Sequence, residues 1–332
     1  MRSHPLGELC SALGPTIARY VAVKQALGRQ FDGPSRYLAK LDHFLHAQRA
    51  ADLDTDTFAE WTSTLGHLKA SGRRQRMRIV YHFCLFRRRS VACFVPDPSQ
   101  FPQQQPRPVP YIFSEEDARL LLITESLKAH SALPLHPQVA RLGLVLLYTT
   151  GLRRGELIRL TVGDYDTTEA VLHVRQSKFH KSRLLPLSGD ATREVEGFLL
   201  KRRQLGLPLR ADSPLLFNGW GGEPGYTGAG FADLMRKLFR RGGIRNAAGR
   251  TPRVHDLRFS FAVHALLRWY RAGIDVQTRL PALSTYMGHA SISATQYYLR
   301  FLEPVARLAC DRFESHCARF LPPISLLPGG DQ

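Results

Sequence analysis

The reading turns on the stretch YTTGLRRGELIRL, Tyr148 to Leu160. It closes the longest apolar run of the chain, Leu142 to Tyr148, and passes through Gly151 into a segment carrying Arg153, Arg154 and Glu156. That run is far short of the ~20 residues a membrane-spanning helix requires, so it reads as a buried helix. Upstream, Ser114-Glu-Glu-Asp117 is a helix start with acids in its first turn. Downstream, Val171 to Val174 and Leu184 to Leu187 flank Arg175 to Arg183, consistent with a β-hairpin with a basic tip. From Asp190 onward the chain is again mainly helical, with a glycine-rich loop at Asn218 to Gly230 and no internal repeat. The expected fold class is therefore mainly α with a small antiparallel β-sheet.

The whole chain has 332 residues, enough for two domains. Hydrophobic residues at 44% and charged residues at 22% exclude a disordered or fibrous chain. The formal charge of +18 calls for a polyanionic partner. Nucleic acid is the leading candidate, because a basic surface steers toward phosphates and gains affinity by releasing their counterions. The N-terminal stretch MRSHPLGELCSALGPTIARY is broken by His4, Pro5, Glu8 and Pro15 and lacks the apolar core of a secretory signal, so a cytoplasmic protein is expected. Cys10, Cys84, Cys93, Cys310 and Cys317 are odd in number, without Cys-x-x-Cys spacing. Reduced thiols are expected, with no metal, cofactor or membrane partner.

The first hundred residues read as helices. Tyr37, Leu38, Leu41, Phe44 and Leu45 fall on one face, as do Phe58, Trp61, Leu65 and Leu68 behind a capping-box pair, Thr57 and Glu60. A further helix over Arg73 to Cys93 carries Arg73, Arg74, Arg76, Arg78, Arg87, Arg88 and Arg89. So many like charges on one helix cost stability unless an anion offsets them, which favours a phosphate-facing surface over a solvated face. Arg73, Arg74, Arg76, Arg78 and Arg87 are the candidate DNA contacts. The segment PDPSQFPQQQPRPVP, residues 96–110, reads as a stiff, extended linker. The expected division is residues 1–95, a linker at 96–112, and a second domain at 113–332.

Three segments of that second domain belong together: the opening stretch with Arg153, then His255-Asp-Leu-Arg258, then Gly288-His289 followed nine residues later by Tyr298. In this combination and order the sequence resembles the tyrosine recombinase, or phage integrase, family. The resemblance covers residues 111 to about 300 strongly, and the N-terminal helices by architecture only. It implies a two-domain DNA clamp, with a helical core-binding domain before the linker and a recombinase catalytic domain after it. It further implies a catalytic set of Arg153, Lys178 on the hairpin, His255, Arg258, His289 and the nucleophile Tyr298, with Glu156 orienting Arg153 and Asp256 able to do the same locally. Lys181 is a rival for Lys178, and Tyr297 for Tyr298. Adjacent helical residues point roughly 100° apart, so only one of the two tyrosines can face a given phosphate.

The chemistry fits those residue types. Attack on a phosphodiester builds negative charge on its nonbridging oxygens, which guanidinium forks can clamp bidentately. A tyrosine hydroxyl ordinarily titrates near pH ~10 and needs help to become a nucleophile. His255 and Arg258, three apart on a helix, can approach one phosphate together. Phe259 and Arg154 depart from the family's commonest form without removing a catalytic group. The implied activity is DNA strand cleavage and rejoining through a 3′-phosphotyrosyl link, for a mobile element, by a tetramer on paired sites of duplex DNA, alone or with other recombinases. Type IB topoisomerase activity and a non-catalytic DNA-binding accessory are the rival readings. Beyond the nucleophile, Val305, Leu308, Ala309, Phe313, Cys317, Phe320 and Leu321 form an amphipathic stripe, so residues 304–332 are an expected interaction segment.

Overall fold

The computed structural model describes residues 7–28, 31–104, 106, 108–123, 135–175, 182–217, 225–289 and 291–301. The described chain divides into two compact units, one ending at Pro108 and the other opening at Val109.

The first unit contains α1 (Gly14–Ala26), α2 (Asp32–Ala47), α3 (Thr55–Ser63) and α4 (Ala70–Arg87). Leu38, Leu41 and Leu45 of α2 are wholly buried, in a core shared with Ile17, Trp61, Val80 and Phe83. Full burial of one such side chain is worth about 1.5–3 kcal/mol, and helices this short hold through such packing rather than by propensity. The cap of α3 lies a turn earlier than the sequence suggests. Asp54, extended at φ −114°, accepts the Thr57 backbone N–H at 2.8 Å, so Thr57 is inside the helix and not its cap.

Helix α4 stops at Arg87 rather than Cys93. Arg87 is no surface charge: its side chain is buried and paired with Asp52 at 2.7 Å. Its assignment as a DNA contact is corrected to a structural ion pair. The Pro/Gln-rich segment is also shorter as a linker than expected. A 3₁₀ turn at Pro98–Gln100, capped by Asp97, sets Phe101 into the first core, and Arg74 Nη1 donates to the Pro102 carbonyl at 2.8 Å.

The second unit runs α5 (Glu115–Ile123), α6 (His136–Thr150), α7 (Arg154–Leu157), β1 (Tyr165–Asp166), β2 (Val171–Val174), β3 (Arg183–Pro186), α8 (Gly189–Gln204), α9 (Gly228–Arg241), α10 (Val254–Arg271), α11 (Val276–Met287) and α12 (Ile292–Gln296), with a 3₁₀ turn at Tyr297–Phe301. Ser114 caps α5 as expected, its hydroxyl accepting from the Asp117 N–H at 2.9 Å. The sheet is antiparallel in the order β1-β2-β3, with Val171 opposite Pro186 and Val174 opposite Arg183. The hairpin is there, with β3 opening at Arg183 instead of Leu184. Helix α6 is buried almost all round, its Leu142, Leu144, Leu146 and Leu147 at the centre of the core. No helix among the described residues is long and apolar enough to cross a membrane.

Candidate active site

The residues singled out from the sequence gather at the ends of α6, α10 and α11. Helix α6 ends at Gly151, whose φ of 63° lets the chain turn sharply, and Arg153 follows as the residue preceding α7. Arg153 Nη1 donates to Glu156 Oε1 at 2.8 Å and Nη2 to the Gly288 carbonyl at 2.8 Å. Arg258, on the second turn of α10, is 2% exposed. Its Nη1 donates to the Gly151 carbonyl at 2.5 Å and its Nη2 to the Met287 carbonyl at 2.7 Å. Both guanidiniums are thus held by carbonyls at the C-terminal ends of α6 and α11, where the helix dipole is negative. That field offsets part of the repulsion between two neighbouring cations. Burial and then the Arg153 charge push the Arg258 pKa down to about 10, which leaves it charged at neutral pH.

Glu156 is buried and does more than orient Arg153. Arg183, the first residue of β3, donates from Nη1 and Nη2 to both of its oxygens, at 3.2 and 2.9 Å, and from Nε to the Tyr286 carbonyl at 2.8 Å. Burial alone would raise the Glu156 pKa, but the hydrogen bonds and charge of Arg183 and the bonds from Arg153 hold it at about 2. Gly288, at φ +66°, completes the cluster, because a Cβ there would sit 2.7 Å from Arg183 Nη1. Asp256 is buried and serves its own helix: its carboxylate accepts from the Arg253 N–H at 2.9 Å and Arg253 Nη2 at 2.7 Å.

Tyr298 is 4% exposed and belongs to the apolar cluster of α10 and α11, with Leu266, Leu283 and Met287. Its proximity favours the charged form of Arg258. The His289 ring stacks on Tyr298 at 5.8 Å, and His289 Nδ1 is 2.7 Å from the Thr295 hydroxyl. Tyr297 is half-buried and packs edge to face on Phe259 at 6.1 Å. Phe259 also meets Tyr298 at 4.9 Å and His255 at 5.4 Å, so it forms a shared aromatic wall.

His255 is exposed at the start of α10. The protein atoms crowding its base, and next the Arg258 charge, push its pKa down to about 4; burial and the same arginine take His289 down to about 3. Both rings are therefore neutral at pH 7, and His255 is in the form that can accept a proton.

The structure brings together Arg153, Glu156, His255, Arg258, His289 and Tyr298. Lys178 and its rival Lys181 lie outside the described residues, as do residues 304–332. Arg183 and Thr295 escape the sequence reading as parts of the site, and Gly288 and Phe259 stand in it without the packing roles they have here. Arg183 stands in a basic tract where nothing in the spacing marks it out.

Of the candidate DNA contacts on α4, Arg78 is exposed and Arg73, Arg74 and Arg76 are half-buried, with Arg76 over the Tyr37 ring at 4.7 Å. Arg74, Gln75, Arg78 and His82 line a depression of about 410 Å³. Among the described residues, one group could hold a metal: Cys10, Asp42 and His43, with ligand atoms within 4.8 Å of one another. The Asp42 oxygens are already engaged by the Cys10 N–H at 2.6 Å and by the backbone and hydroxyl of Ser11.

Residues 117–303, more than half of the chain, match the model of the phage integrase family. The chain is 30% identical over 311 residues to y4rB of Sinorhizobium fredii, named as an integrase/recombinase, spanning 92% of this chain and 98% of that one. It is 34% identical over 206 residues to the tyrosine recombinase XerD of Brucella abortus, covering 61% of this chain and 62% of XerD. Among solved structures, the Tn1549 transposon integrase in complex with a circular intermediate DNA is similar in fold. Its TM-score is 0.60 and its sequence identity 17%, over 90% of this chain and 98% of that chain.

Proposed function

This chain belongs to the phage integrase family and is a site-specific DNA recombinase, and we propose that it cleaves and rejoins DNA through Tyr298. In this reading the Tyr298 hydroxyl oxygen attacks the phosphorus of one phosphodiester of duplex DNA, and the bond from phosphorus to the 5′ oxygen breaks. The phenolic proton passes to neutral His255, and Lys178 supplies a proton to the departing 5′ oxygen. Arg153, Arg258 and His289 hold the nonbridging oxygens as their charge grows. The product is a 3′-phosphotyrosyl link and a free 5′ hydroxyl. Attack by a 5′ hydroxyl from a second strand reverses the same bonds and reseals DNA without an external energy source.

The observation that carries this reading is the buried Tyr298 phenol, stacked on His289, in the same cluster as Arg258, a guanidinium that two backbone carbonyls fix in place. A nucleophile and its charge clamp are pre-positioned before substrate arrives. Glu156 and Arg183 act as the brace behind Arg153. Arg73, Arg74, Arg76 and Arg78 contact DNA phosphates in the first unit. The protein serves a mobile element, in the cytoplasm with the nucleoid, as a tetramer on paired sites in which residues 304–332 dock on a neighbouring protomer.

The test is a nicked duplex carrying the element's own end, from which the short cleaved fragment diffuses away and strands the covalent intermediate. A protein–DNA adduct that depends on that sequence is expected. No adduct on any such duplex, or relaxation of a plasmid without the site, would overturn the reading.

A further inference from the structure

The catalytic unit has a second basic recess, which shares His255 with the reaction centre. An open cavity of about 500 Å³ lies beside His255, and its lining includes Arg154, Arg236, Thr251 and Arg253. Two carboxylates stand near. Asp256 is committed to Arg253, and Asp233 is shared between Arg236 at 3.7 Å and Lys237 at 3.0 Å. Of the three arginines that line the cavity, Arg253 and Arg236 thus have carboxylate partners, and Arg236 shares its partner with Lys237 outside the lining. Arg154 is exposed, and no carboxylate pairs with it among the described residues. It is not loose, however: its guanidinium lies along the backbone at Gly228, 3.5 Å from the point where a Cβ would be.

The consecutive arginines therefore face different tasks. Arg153 is turned into the reaction centre by Glu156 and the Gly288 carbonyl, while Arg154 lines the neighbouring cavity; His255 borders both. A DNA strand carries one phosphate per nucleotide, so a phosphate held for reaction always has another on each side. A recess with surplus positive charge, next to the reacting position, matches that spacing of anions in kind.

We propose that this cavity binds a phosphodiester flanking the one that reacts, with Arg154 as its main contact and Arg236 and Arg253 at its wall. The proposal rests on the recombinase reading and adds a subsite to it. Held there, the flanking phosphate fixes the register of the strand, so that one defined phosphodiester is presented to Tyr298.

The experiment pairs Arg154→Ala with substrates whose phosphate on one or the other side of the scissile position is an uncharged methylphosphonate. Equilibrium binding is measured against salt, and adduct formation in parallel. With the unmodified protein, neutralising one flanking phosphate is expected to weaken binding and lower the salt slope by about 0.9. In Arg154→Ala the same replacement should have no further effect, with melting temperature unchanged, and Arg154→Lys should restore the dependence. Independent, additive losses at both flanking positions would overturn the proposal. Absence of adduct with the binding pattern intact would instead count against the recombinase reading and leave the phosphate site standing.

Discussion

Glu156 is the residue on which the site's electrostatics depend, since two arginines share its carboxylate. Its pKa of about 2 lies below the ordinary 4.5, so the unfolded chain binds its proton first as pH falls. Its contribution to stability is complete above about pH 4.5 and is lost as pH falls toward 2. Thermal melts of the protein and of Glu156→Gln should therefore differ most at neutral pH and converge as the pH approaches about 2. A gap that stays constant across that range would mean that the pair contributes nothing through charge. For the clamp residues, Arg153→Ala and Arg258→Ala should each slow cleavage by about 10² to 10³, the usual effect of removing one donor to a developing oxyanion. Near-normal single-turnover rates in either variant would remove it from the clamp.

Among the helices and strands, α4 carries two kinds of arginine that look alike in the sequence. Neutralising Arg73, Arg74, Arg76 and Arg78 should flatten the salt dependence of DNA binding by about 0.9 in slope for each phosphate that an arginine no longer neutralises. Arg87→Ala should leave that slope alone and lower the melting temperature, because its partner is Asp52. An unchanged slope in the quadruple variant would return the outer arginines to a solvated face. The reason Arg87 misleads is physical: Asp52 lies 35 positions away, and only tertiary packing brings it to the end of α4. The periodic stripe of α2 and the hairpin, by contrast, are local patterns that appear close to where the sequence puts them. The stripe from Phe58 to Leu68 outlasts its helix: α3 ends at Ser63, and Leu65 and Leu68 pack from the turn that follows. The catalytic motifs are legible because each is a short run of fixed spacing. The roles of Arg183, Gly288 and Phe259 are not, because they come from packing between β3, α7, α10 and the end of α11 that no spacing encodes.

For the molecule as a whole, the proposed function requires more than one protomer. Removing residues 304–332 should leave a folded protein that binds a single site but neither pairs sites nor recombines, as read by gel mobility and product formation. An insoluble truncation would assign the apolar stripe to the protein's own core, and normal recombination would end the exchange idea. The chemical event at the centre is narrower: one tyrosine becomes bonded to DNA. The covalent complex trapped on a nicked duplex, digested with nuclease and protease and mapped by mass spectrometry, measures it directly. A nucleotide remnant is expected on Tyr298, with no adduct from Tyr298→Phe. A remnant on Tyr297, or an adduct that persists in that variant, would contradict the assignment of Tyr298 as nucleophile.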